Sequence, residues 1–112
     1  MVVDDEPDMR YLLRTTLEEA GYGVVEAAHG EAALEQVRES RPQVVVTDWM
    51  MPRMNGGELI ERLRADASTR EIPIVIISST RGERGGADAV LGKPFDLDEL
   101  IGLVDKLTGK ER

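Results

Sequence analysis

Val44-Val45-Val46-Thr47-Asp48 and Ile72-Pro73-Ile74-Val75-Ile76-Ile77-Ser78 decide the fold. Both runs are apolar and β-branched, and neither alternates with polar residues. Strands read this way when helices bury both of their faces, as in the middle of a parallel sheet. Each run also stops on a polar residue. Met1-Val2-Val3 does the same at Asp4-Asp5, and Ala89-Val90-Leu91-Gly92 at Lys93-Pro94. The carboxyl ends of the strands in an open parallel sheet share one edge, where ligands bind. Asp4, Asp5, Asp48, Ser78 and Lys93 are therefore expected to converge. Three carboxylates, a hydroxyl and an ammonium suit a divalent cation beside a phosphorylated aspartate.

Amphipathic segments separate these runs, which gives an α/β class with a parallel sheet. The first strand is placed at Met1 to Asp4. A helix follows near Asp8 to Ala20 with Met9, Leu12, Leu13, Leu17 and Ala20 on one face. Pro7 suits its first turn and Gly21 its end. A second strand is expected near Gly23 to Ala27, then a helix near Gly30 to Arg38 burying Ala33, Leu34 and Val37. Arg41-Pro42 breaks it before a third strand, Gln43 to Thr47. A loop from Asp48 to Asn55 leads to a helix over Gly56 to Ala65 with Leu59, Ile60 and Leu63 inward. The last strand is Ala89 to Gly92. Asp96 caps a final helix that points Leu97, Leu100, Ile101, Val104 and Leu107 inward.

With 112 residues the chain makes one domain, placed at 1–107, with a polar tail at 108–112 that is expected to fray. Cysteine is absent, which excludes disulfides and thiolate metal sites. The net charge of -8 removes the basic footprint of a nucleic-acid binder. No apolar run approaches the roughly 18 residues of a membrane span, and none resembles a signal peptide. The expected location is the cytoplasm, with no membrane partner.

Taken singly, each polar strand end has an ordinary explanation. Asp4-Asp5 can be a solvated turn, Asp48 the start of a loop, Ser78 a strand-end serine and Lys93 a surface lysine. Their joint occurrence at successive strand ends is what points to chemistry. Clustered carboxylates repel one another, and Mg²⁺ removes that cost while shielding phosphoryl oxygens. Phosphoryl transfer then needs positioning and charge neutralisation more than covalent help.

On these segments the chain resembles a response-regulator receiver domain, the phosphoacceptor half of a two-component system. Val2-Val3-Asp4-Asp5-Glu6-Pro7 is similar to that family's acidic pair. Asp48-Trp49-Met50-Met51-Pro52-Arg53-Met54-Asn55-Gly56 is similar to its phosphorylation loop. Ile72 to Ser78 matches its fourth strand, and Gly86 to Phe95 its lysine segment. The resemblance implies a flavodoxin-like, doubly wound, five-stranded parallel sheet in the order 2-1-3-4-5. It implies that Asp48 accepts a phosphoryl group from a histidine kinase or phosphotransfer protein, with Mg²⁺ as cofactor. Asp5 would bind the ion directly and Asp4 through water, with Asp48 and the Met50 backbone carbonyl as further ligands. Ser78 would sense the phosphate and Lys93 clamp it, and Lys93-Pro94 would be cis. The kinase would dock on the first helix around Met9, Arg10, Leu13 and Arg14. The downstream partner is not named by the sequence. His29 matches no donor motif and reads as a bystander.

The chain also departs from that pattern. The connection from Ser78 to Lys93 is short by about seven residues, roughly two helical turns. Its glycines and lack of an apolar face predict a loop or at most one turn, so the fourth helix is short or missing. The first strand starts late, which predicts lost ladder hydrogen bonds. Val90 stands where receivers usually carry an aromatic residue. Met50 and Thr80, which flank the phosphorylation site, supply no acid or amide to orient water, so self-dephosphorylation should be slow. A receiver-fold module acting without phosphate is the alternative function. A Mg²⁺-dependent phosphatase or phosphotransferase ranks below both, because Met50 occupies the place of its second acid. The chain is not expected to turn over any substrate beyond its own phosphorylation and dephosphorylation.

Overall fold

A computed structural model describes residues 1–79 and 84–111. In chain order the elements are β1 (Val2–Val3), α1 (Pro7–Glu19), β2 (Glu26–Ala27), α2 (Gly30–Ser40) and β3 (Val45–Asp48). They continue with α3 (Gly56–Ala65), β4 (Ile74–Ser78), β5 (Ala89–Gly92) and α4 (Leu97–Thr108). All strand pairs are parallel, and the sheet order is β2-β1-β3-β4-β5. The expected doubly wound topology is therefore present.

The pleat explains why the central strands do not alternate in sequence. Val2, Val46, Val75, Ile77 and Leu91 pack with Leu13 and Leu17 of α1 and Leu100 and Val104 of α4. Val3, Val45, Ile74 and Ile76 face the other way, onto Ala33 and Val37 of α2 and Leu59, Ile60 and Leu63 of α3. Both faces are covered, so every position of Ile74–Ser78 is buried.

Several boundaries differ from the sequence reading. β1 and β2 are two residues each, yet their flanks still bond: Val2 N–H donates to Val25, Asp4 N–H to Ala27 and Val46 N–H to Met1. β3 runs one residue further than expected and includes Asp48. Leu12 and Leu97, expected to face inward, are 40% and 36% exposed. Both sit at the margin of their apolar stripe, where a helix turns toward water. His29, read as a bystander to the chemistry, has a structural part: its Nδ1 accepts from Ala32 N–H at 3.1 Å and caps α2. Asn55–Glu58 and Asp96–Glu99 form reciprocal capping boxes at α3 and α4. Thr108, placed in the tail by sequence, ends α4 instead, and Lys110 donates to the Ala20 carbonyl at 2.7 Å.

Between β4 and β5 the described residues, Ser79 and Arg84–Asp88, contain no helix. Positions 80–83, where the short-helix expectation also falls, lie outside the described residues, and so does Thr80.

Candidate functional site

The strand ends place the polar residues. β1 and β3 are neighbours in register, Val3 opposite Thr47, so Asp4 and Asp5 leave the sheet beside Asp48. Ser78 lies opposite Gly92, and Lys93 N–H donates to the Ser78 carbonyl at 2.8 Å. That bond sets Lys93 one step beyond β5, at the same edge. The Lys93–Pro94 peptide is cis.

Oxygens of Asp4, Asp5 and Asp48 all lie within 4.8 Å of one another. Lys93 Nζ stands 3.1 Å from Asp48 Oδ1. Asp4 is 1% and Asp48 3% exposed, Ser78 is buried, and Asp5 is open to solvent. Asp4, Asp5, Asp48 and Lys93 are thus brought together, and Ser78 ends β4 at the same sheet edge. Met50, two residues after Asp48, has a solvent-exposed side chain.

The pocket is electrostatically unsatisfied. Asp4 Oδ1 accepts from Glu6 N–H at 2.9 Å. Asp4 Oδ2 and Asp48 Oδ1 are buried without a hydrogen-bond partner among the described residues. Lys93 is close enough to Asp48 Oδ1 to pair with it, but the angle is poor for a hydrogen bond. Burial pushes the Asp4 carboxyl up to about 6, opposed by the Glu6 N–H and Lys93 and reinforced by Asp48 and Asp5. Buried carboxylate oxygens left without donors cost free energy unless a cation meets them. Hard oxygens in this number and spacing fit a small divalent ion such as Mg²⁺.

Two supporting features were not read from the sequence. Arg10 donates from Nη1 to the Asp4 carbonyl at 2.7 Å and pairs with Glu26 at 3.3 Å, fixing the turn after β1. Gly56 lets α3 start against the loop: a Cβ there would lie 2.7 Å from the Asp48 carbonyl oxygen and 2.9 Å from Trp49 Cα. The Asn55-Gly56-Gly57 sequence was the available signal. Of the residues expected to meet a kinase, Leu13 is fully buried. Arg14 is engaged with Glu18 and Glu26, whereas Tyr11 is exposed.

A doubly wound sheet with acidic side chains and a lysine at its carboxyl edge places a charged site where such sheets bind their ligands. The response regulator receiver domain family matches residues 1–105, and the chain belongs to that family. It is 33% identical over 120 residues to response regulator Rre1 of Synechocystis, covering 100% of this chain and 52% of that protein. It is 38% identical over 104 residues to chemotaxis protein CheY1 of Helicobacter pylori, covering 85% of this chain and 84% of that protein. The chain thus spans about half the length of Rre1. Among solved structures, it is similar to the receiver domain of sensor histidine kinase PA1611 from Pseudomonas aeruginosa. The TM-score is 0.89 with 25% identity, over 96% of this chain and 94% of that one. That structure has a magnesium ion coordinated in its active site cleft.

Proposed function

We propose that this chain, over residues 1–107, is a phosphoacceptor domain that takes a phosphoryl group onto Asp48. The observation that carries the reading is the unsatisfied pocket: two buried carboxylate oxygens with no hydrogen-bond partner among the described residues, with Lys93 Nζ 3.1 Å from one of them. A carboxylate oxygen of Asp48 attacks the phosphorus of a phosphohistidine on a histidine kinase or phosphotransfer protein. The phosphorus–nitrogen bond breaks, the imidazole leaves, and an acyl phosphate remains. Mg²⁺, when bound, neutralises the carboxylates and the developing phosphoryl charge. Asp5, Asp48 and the Met50 carbonyl would hold it, with Asp4 acting through water. Lys93 pairs with one phosphoryl oxygen, and the Ser78 hydroxyl donates to another. The domain acts only on its own acyl phosphate, and a downstream protein reads the result.

Incubation with acetyl phosphate and Mg²⁺ should add the mass of one phosphoryl group. Asp48→Asn should abolish that gain, and Lys93→Ala should reduce its rate at least about tenfold, in line with loss of one charge-stabilising group. An Asp48→Asn protein that still gains the phosphoryl group would remove Asp48 from the role.

A second reading is favoured by one observation. Val90 lies half-buried against the α2–α3 core in β5, where receivers usually carry an aromatic residue. A stiff β-branched side chain has no ring to swing. A receiver-fold module that binds partners without phosphate would give no fluorescence change at Trp49 with Mg²⁺ and beryllofluoride. The phosphoacceptor reading requires one.

A further inference from the structure

The Trp49 side chain occupies a place that phosphate chemistry alone does not explain. Trp49 follows Asp48 directly, and its backbone is pinned twice. Its N–H donates to the Ile77 carbonyl at 3.0 Å, and its carbonyl accepts from Gly56 N–H at 2.8 Å. From that fixed backbone the ring reaches across two glycines of different elements. A Cβ on Gly57 of α3 would stand 2.6 Å from Trp49 Cη2, closer than real Cβ atoms come, and 3.0 Å from Cζ2. A Cβ on Gly85 would stand 3.6 Å from Trp49 Cζ3 and 3.8 Å from Ile60 Cδ1. The indole therefore fills the gap between the first turn of α3 and the short connection into β5, the strand that delivers Lys93.

We propose that Trp49 is a positioning residue: its indole, seated between Gly57 and Gly85, holds the backbone that carries Asp48 and ties the acidic pocket to the order of residues 84–88. The proposal rests on the reading of Asp48 as phosphoacceptor and says which element feels that site. Coupling between two places requires a physical element that both of them bias. Here the element is a rigid ring touching the connection at one end and bonded through its backbone to the site at the other. By reciprocity, a cation in the pocket should order the connection, and loosening the connection should weaken the cation.

Gly57→Ala tests this without altering any site residue. Alanine is a better helix former than glycine, so a purely structural Gly57 predicts equal or higher thermal stability and unchanged site properties. A displaced ring predicts otherwise. In the metal-free variant the amides of Ala87 and Asp88, which donate to Arg84 and Ile74, should exchange at least about tenfold faster than in the native protein. The Mg²⁺ dissociation constant measured by calorimetry should rise about threefold or more. Added to Trp49→Ala, the same change should have no further effect, because nothing remains to displace. Should Gly57→Ala unfold, Trp49→Phe supplies the comparison: the smaller ring should give intermediate exchange and affinity between native and Trp49→Ala. Native-like exchange or native-like Mg²⁺ affinity in a folded Gly57→Ala overturns the proposal. Failure of the native protein to gain a phosphoryl group is a separate readout and counts against the role of Asp48 instead.

Discussion

Asp4 sits in surroundings that suit its charge poorly. Its carboxyl is buried beside Asp48 and Asp5, and burial is the main reason it titrates near 6 rather than in the usual range. A folded-state value above the unfolded one means that the folded chain holds the proton more tightly. The resulting stabilisation is complete below about pH 4 and is lost as pH rises through about 6. In metal-free protein this one group should therefore cost about 2–3 kcal/mol between pH 4 and pH 7.5. Asp4→Asn keeps an acceptor for Glu6 N–H and removes the charge. Urea unfolding in a chelator should find the variant more stable than native at pH 7.5, with the difference vanishing near pH 4. With Mg²⁺ present the native protein should recover most of the deficit and the variant little of it. A native-minus-variant difference independent of pH would mean that Asp4 is not the strained group. The strand-end residues were legible because a parallel sheet gathers them whatever the loops do. Arg10 and His29 were not. A helical arginine reads as a solvated charge, and a loop histidine gives no hint that its Nδ1 will meet the first turn of α2.

Among the elements, the connection from β4 to β5 was read as short, and its described part, Ser79 and Arg84–Asp88, contains no helix. That was legible in its three glycines and its lack of an apolar stripe. What anchors its described part was not, because the anchor belongs to another element. Arg64 of α3 donates from Nη1 to the carbonyls of Arg70 and Ile72, each at 2.6 Å. From Nη2 it reaches the Gly86 carbonyl at 3.2 Å and Asp88 Oδ2 at 2.8 Å. Asp88 Oδ2 also accepts from the N–H of Ile74, at the start of β4, at 2.7 Å. One guanidinium and one carboxylate thus fasten α3, β4 and the approach to β5, a geometry that the planar fork of arginine permits and lysine does not. Arg64→Ala should destabilise the domain by about 2–3 kcal/mol in chemical unfolding, and Arg64→Lys should restore less than half of that. Asp88→Asn keeps an acceptor for the buried Ile74 N–H and should cost under about 1 kcal/mol, whereas Asp88→Ala should cost about 2. Equal costs for the two Asp88 variants would show that the Ile74 bond does not matter.

Over the whole molecule the net charge of -8 acts on the same pocket that the local geometry builds. The charge was legible from composition, and so was the layering, because buried strands and amphipathic helices leave few ways to fold. Composition could not say that, among the described residues, Lys93 Nζ would be the cation that pairs with Asp48, at 3.1 Å. Cation binding should therefore have two electrostatic parts. The close part, from oxygens within 4.8 Å of one another, lies well inside a Debye length and resists salt. The remote part, from acidic residues spread over a molecule with extents of 33 × 28 × 24 Å, lies mostly beyond one and is screened. Raising monovalent salt from about 10 to about 150 mM shortens the Debye length from roughly 30 to 8 Å. Over that range the Mg²⁺ dissociation constant should rise about three- to tenfold and then level off as only the close part remains. A constant that does not respond to salt would assign cation affinity to the three pocket carboxylates alone. One that keeps climbing past physiological salt would mean that the ion is held by the diffuse acidic surface rather than at Asp4, Asp5 and Asp48.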